Sequence, residues 1–157
     1  PRSVIDMSTA TMARLAADCP NIIGVKDATA DLTRPLAMRQ EIGEDFCMLS
    51  GEDATVMSFL ANGGDGCISV TSNAAPRACA EMHDAWLAGD VKAAMAINAR
   101  LFPLHTALFV EPNPVPVKYA ASLLDKCTMD VRLPLTPANE NTQKLVRDAM
   151  MSAGLLN

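Results

Sequence analysis

The sequence predicts an α/β fold, a parallel sheet wrapped by helices, followed by an all-helical tract. Three observations carry this reading. Short, nearly continuous apolar runs recur at residues 22–26, 46–50 and 66–71, as strands of a buried parallel sheet do. Helical periodicity fills the intervals between them. From Pro76 onward the apolar spacing is helical throughout.

Each element has its own signals. Ser8 predicts an N-cap, Met12, Leu15 and Ala16 recur at helical spacing, and Cys19-Pro20 ends the helix. The β-branched run at residues 22–26 follows as a strand. Asp31 or Thr33 caps the second helix, with Pro35 tolerated in its first turn and Gly43 at its end. Residues 46–50 form the second strand, closed by Gly51. Asp53 is read as the cap of a third helix through Leu60, stopped by Gly63-Gly64. Residues 66–71 form the third strand. Helices then run over residues 75–88, 91–109, 115–126 and 137–153. Pro103 is expected to kink the second of these, and Thr136-Pro137 to open the last.

Continuous apolar strands imply a sheet covered on both faces. Three strands are few for this, since an open sheet leaves two unpaired edges. A complete (β/α)₈ barrel takes roughly 250 residues, so a barrel of this kind would lack most of its strands here.

Composition narrows the functional classes. At 157 residues, half of them hydrophobic and 20% charged, the chain suits one ordered domain rather than a disordered segment. Only 4% of residues are aromatic, so aliphatic side chains and methionines must fill the core. Met7, Met12, Met38, Met48, Met57 and Met95 are read as core fillers. The net charge of −5, without a basic run, argues against nucleic acid as a partner.

The longest apolar stretch, residues 101–110, contains Pro103 and His105 and is too short to span a bilayer, so no membrane partner is expected. Arg2, Asp6 and Arg14 interrupt the start and argue against a signal peptide. The first residue is Pro1 rather than Met, so this end need not be the start of a reading frame. Cys19, Cys47, Cys67, Cys79 and Cys127 are odd in number, widely spaced and without a CxxC pair. They predict free thiols and a reducing, cytoplasmic setting. His83 and His105 lie far apart without companions at ligand spacing, so no metal site is expected.

In α/β proteins the reactive groups stand at the carboxyl ends of the strands. The three predicted strands end at Lys26, at Ser50-Gly51 and near Thr71. Lys26 follows four apolar residues. A lysine desolvated at the mouth of an apolar barrel loses its charge more easily, and its neutral amine can form a Schiff base with a carbonyl. The pattern alone favours a solvated lysine that merely marks a strand end. Gly51 and the Gly63-Gly64-Asp65-Gly66 segment could allow close approach of a ligand, or serve simply as turns and caps. That segment follows a helix and leads into a strand, the reverse of a phosphate-binding fingerprint. Ser50 lacks a nucleophile elbow, which disfavours a hydrolase. Glu52-Asp53 could act as paired carboxylates, but Asp53 reads better as a cap. Lys118 reads as solvent-facing.

Several segments resemble one known family. Residues Asn21-Ile22-Ile23-Gly24-Val25-Lys26-Asp27-Ala28-Thr29 resemble the Schiff-base lysine motif of the dihydrodipicolinate synthase family. Leu49-Ser50-Gly51-Glu52-Asp53 resembles its next strand-end motif, and residues 63–73 its last barrel strand. Residues 109–118, with Glu111-Pro112-Asn113-Pro114, and residues 132–137 resemble segments of its C-terminal helical domain. The segments occur in the family's order and cover nearly the whole chain.

The resemblance implies the C-terminal half of such an enzyme: the last three strands of a (β/α)₈ TIM barrel over residues 1–89, then a helical C-terminal domain over residues 90–157. The chain is expected to begin just after the fifth barrel strand, whose YNxP-like end would precede Pro1. The proton-relay tyrosine, the threonines holding the pyruvate carboxylate and most of the lysine feedback site would lie upstream, so this part alone is expected to be inactive.

The implied reaction condenses pyruvate with aspartate semialdehyde in lysine biosynthesis, without metal or organic cofactor. Lys26 would be the nucleophile, the Ile68 main-chain carbonyl would border pyruvate, and Arg2 would attract the semialdehyde carboxylate. By composition alone, Arg2 could equally be a surface charge. The implied partners are the N-terminal half of the barrel and further copies in a homotetramer. Asp27 departs from the glutamate common after the lysine. A pyruvate-dependent aldolase such as N-acetylneuraminate lyase, or a non-catalytic interaction module, are the alternatives.

Overall fold

A computed structural model describes residues 5–156. Arg2 therefore lies outside the described residues. The chain divides into two units, residues 1–69 and 70–157.

In the first unit, α1 (Thr9–Asp18) opens on Ser8, whose hydroxyl accepts the Thr11 amide at 3.2 Å. It is followed by β1 (Gly24–Asp27), α2 (Arg34–Ile42), β2 (Cys47–Ser50), α3 (Val56–Ala61) and β3 (Gly66–Cys67). The three strands are parallel in the order β1-β2-β3, with Lys26 beside Leu49 and Ser50 beside Cys67. The α/β reading of the sequence therefore holds.

The strand faces are unequal. Val25 and Asp27 point one way, Gly24 and Lys26 the other, by the two-residue period of a strand. Met48 is fully buried and joins Met12, Met38, Phe46 and Phe59 in the core of this unit, with Val25 packed against it. Helices thus cover the Val25–Met48 face. Lys26 on the opposite face is exposed, while Cys47 and Leu49 beside it are half-buried. The expectation of a sheet covered on both faces is corrected: among the described residues of this unit, one face carries the helical layer.

Other details differ from expectation for identifiable reasons. β3 ends at Cys67 rather than residue 71 because its partner β2 ends at Ser50; the last pairing is the Ile68 amide donating to the Ser50 carbonyl at 2.8 Å. Residues 71–73 instead form a 3₁₀ turn. A 3₁₀ turn over Asp53–Thr55 leads into α3, and Glu52 caps that turn, its carboxylate accepting the Ala54 amide. Asp53 is buried and accepts the Ser69 hydroxyl. Met7 and Met95 are not core fillers, being 47% and 46% exposed.

The second unit is helical: α4 (Pro76–Leu87), α5 (Val91–Ala107), α6 (Val115–Ser122) and α7 (Glu140–Ser152). Its core joins Leu101, Leu104 and Leu108 to Val115, Val117, Tyr119, Val146 and Met150. Buried Thr71 and His105 hydrogen-bond at 2.7 Å through Oγ1 and Nδ1. Pro103 lies inside α5. α7 starts later than the sequence suggests, because Asn139 rather than Thr136 supplies the cap, accepting the Thr142 amide at 3.0 Å. α6 ends at Ser122, before Asp125 takes a positive φ of 55°. Lys118 is half-buried and donates to the Asp130 carbonyl, so its role is to hold a loop rather than to face solvent. No disulfide joins any of the five cysteines.

Candidate active site

β1 presents a lysine at its carboxyl end. Lys26 is the penultimate residue of the strand, and parallel pairing places Ser50 and Gly51 of the neighbouring strand at the same end. The Gly51 amide donates to the Asp27 carbonyl at 2.6 Å. A Cβ at position 51 would lie 2.8 Å from Lys26 Cε and 2.8 Å from Ala28 Cβ. The lysine stem therefore runs over Gly51, and a methyl there would displace the flexible lysine end and press on Ala28. This is close approach to a side chain of the chain itself, not the turn or cap role that glycine usually has.

Lys26 stands beside a shallow hollow of about 480 Å³ on the uncovered sheet face, lined by Ile22, Gly24, Val25, Cys47 and Leu49 among others. Ile68 lies at the same end of the sheet, one strand beyond Ser50, and is 45% exposed. The structure thus brings Lys26 and Ile68 to one end of one sheet, with the Ser50-Gly51 strand end between them. It does not supply the desolvation expected of Lys26, because the described residues of this unit place no layer over this face. Ser50 is buried, and its hydroxyl exchanges hydrogen bonds with the Glu52 main chain at 3.1 Å, a structural role.

Behind Lys26 lies a network that the sequence did not reveal. Asp27 is 6% exposed. One carboxylate oxygen accepts the Thr29 amide at 2.9 Å and its hydroxyl at 2.6 Å. The other accepts Arg34 Nε at 2.8 Å. Arg34 also donates to Asp6 at 2.9 Å and to the Met7 carbonyl at 2.8 Å. Farther along the same loop, hydrogen bonds from the Thr33 hydroxyl and amide hold the Asp31 carboxyl below its ordinary range, with a smaller contribution from Arg34.

Fold and site together define an α/β protein that presents a primary amine at the carboxyl end of a parallel strand. Comparison with known proteins gives the family. The model of the dihydrodipicolinate synthetase family matches residues 1–153, and the chain belongs to that family. It is 62% identical over 155 residues to a 4-hydroxy-tetrahydrodipicolinate synthase from Rhodospirillum centenum and 64% identical over 156 residues to one from Acidiphilium cryptum. The matches cover 99% of this chain but 53% of each relative, so the chain spans about half their length.

Among solved structures, DHDPS from Cyanidioschyzon merolae with lysine bound matches at 36% identity and a TM-score of 0.91, over 97% of this chain and 51% of that one. The chloride-inhibited dihydrodipicolinate synthase from Acinetobacter baumannii, complexed with pyruvate, matches at 39% identity and a TM-score of 0.89, over 96% and 52%.

Proposed function

We propose that this chain contributes the imine-forming part of a class I lyase that condenses pyruvate with aspartate semialdehyde to 4-hydroxy-tetrahydrodipicolinate, in lysine biosynthesis. The observation that carries the reading is Lys26, an exposed amine at a parallel strand end whose stem lies against Gly51. Family membership supports it.

In the proposed reaction, the Lys26 amine attacks the keto carbon of pyruvate and water leaves, giving an imine. Loss of a methyl proton gives an enamine. The enamine carbon bonds to the aldehyde carbon of the second substrate, whose oxygen takes up a proton. The substrate's own amine then attacks the former keto carbon and displaces Lys26, closing the ring and restoring the free lysine. The Ile68 carbonyl borders pyruvate, and Arg2 draws in the semialdehyde carboxylate, a task suited to a guanidinium fork. No step calls for a metal or an organic cofactor.

Residues 1–89 are proposed to supply the last three strands of a (β/α)₈ barrel, and residues 90–157 a helical domain. The uncovered Lys26 face supports this, since closure of a barrel covers such a face with the remaining strands. The other barrel strands would come from an N-terminal half like that of the curated relatives, and the working assembly would be a cytoplasmic homotetramer.

The test is a chimaera in which the N-terminal half of the Rhodospirillum centenum relative precedes this chain. The chimaera is expected to consume both substrates, and the chain alone to be inactive. Failure of a folded chimaera to use pyruvate would overturn the reading.

A further inference from the structure

We infer that the Asp27–Arg34 pair is a positioning device for Lys26, setting the direction of the strand end from which the amine projects. The inference rests on the imine-forming reading of Lys26 and adds residues to it. Asp27 follows Lys26 directly and points to the opposite face of β1. Its carboxylate is held on both oxygens, by Thr29 on one and by Arg34 on the other. Such charge-assisted bonds at a nearly buried carboxylate are strong and directional.

Arg34 does more than pair one charge. It opens α2, and its remaining nitrogens hold the Asp6 carboxylate and the Met7 carbonyl, in the segment leading into α1. One guanidinium therefore joins three pieces of chain: the end of β1, the start of α2 and the entry to α1. Lys26 itself is a flexible four-carbon stem. Among the described residues, its amine is aimed by the backbone that carries it and by the surface it crosses. Gly51 provides that surface, and the Asp27–Arg34 pair fixes the backbone. A rotation of the strand end about its axis would swing Lys26 off Gly51 and expose the Asp27 carboxylate. The pair opposes that rotation.

The experiment uses the chimaera described above and follows the rate at which pyruvate with borohydride labels Lys26, per folded molecule. Arg34→Met and Asp27→Asn are expected to slow labelling by about tenfold to a hundredfold, the cost of a misplacement near 1 Å. The loss falls on the maximal rate rather than on the half-saturating pyruvate concentration. Asp27→Glu, which keeps the carboxylate, restores a rate near that of the parent. If Arg34→Met does not fold, Arg34→Lys and Asp27→Asn carry the measurement, because lysine cannot reach three acceptors with a planar fork.

Equal labelling in the parent, Arg34→Lys and Asp27→Asn overturns the inference while leaving the function of Lys26 intact. A loss in Asp27→Glu as large as in Asp27→Asn also overturns it. A folded parent that labels at no rate at Lys26 overturns the functional reading, and this inference with it.

Discussion

Helix α2 sends one arginine to each end of the sheet, and the two clamp different things. At the carboxyl end, Arg34 holds the carboxylate next to Lys26. At the amino end, Arg39 reaches the Asp65 carboxylate with two bonds of 2.8 Å and gathers the carbonyls of Glu44, Phe46 and Gly63. Asp65 in turn accepts the Met48 amide at 2.7 Å. Both arginine side chains are 12% exposed and both are multiply bonded. The same chemical device therefore stands beside the proposed nucleophile at one end and serves chain connectivity at the other. This division matches the general rule for parallel α/β folds, in which function gathers at the carboxyl ends of the strands and stability at the amino ends.

The sharpest break between the two ends is expected from Lys26→Ala. Labelling by pyruvate and borohydride should vanish, while the unfolding midpoint of the chimaera stays near that of the parent, because the side chain is exposed. Arg39→Met should do the reverse. It removes several bonds to main-chain carbonyls, and urea unfolding is expected to show a loss of about 2–3 kcal/mol. Its rate of Lys26 labelling per folded molecule should equal the parent's. A drop in that rate would erase the functional distinction between the ends.

Gly51→Ala sharpens the comparison at the carboxyl end. The new methyl would meet Lys26 Cε and Ala28 Cβ at 2.8 Å, so both the lysine end and the strand end at Ala28 must shift. A reduction in labelling of about tenfold is expected, measured on the folded chimaera. The smallest expected effect is at Asp31, beside the carboxyl-end clamp. Its folded pKa is depressed, chiefly by the Thr33 hydroxyl. Any stability it contributes is therefore present above its unfolded pKa and lost as pH falls through the folded value. A carboxyl titration followed by NMR should place Asp31 below the usual range, and Thr33→Val should bring it back up.

Much of the architecture was legible in the sequence because local signals agreed with the fold. The apolar run at residues 22–26 overlaps β1 and that at residues 46–50 contains β2, and Ser8 caps α1 as its hydroxyl predicts. The errors arose where two residues competed for one local role. Glu52 rather than Asp53 caps the turn before α3, because Asp53 is occupied by Ser69; Asn139 rather than Thr136 caps α7. The length of β3 was misread because a strand ends where its partner ends, a fact that no property of residues 68–71 records.

The strand-end lysine was visible as an unusual residue after an apolar run. Its supporting network was not. Arg34 is seven residues from Asp27 and 28 from Asp6, and only the folded chain brings the three together. Gly51 drew notice as a glycine, yet the crowding there by Ala28 and the Lys26 stem exists only in three dimensions.

The most direct test of the central claim is peptide mapping of the chimaera after reduction with borohydride in the presence of pyruvate. The hydride fixes a transient imine as a stable secondary amine, so the modified peptide identifies the nucleophile. The account predicts one pyruvyl adduct, on the peptide containing Lys26. An adduct confined to another lysine, such as Lys118, or a folded protein carrying none, would contradict it.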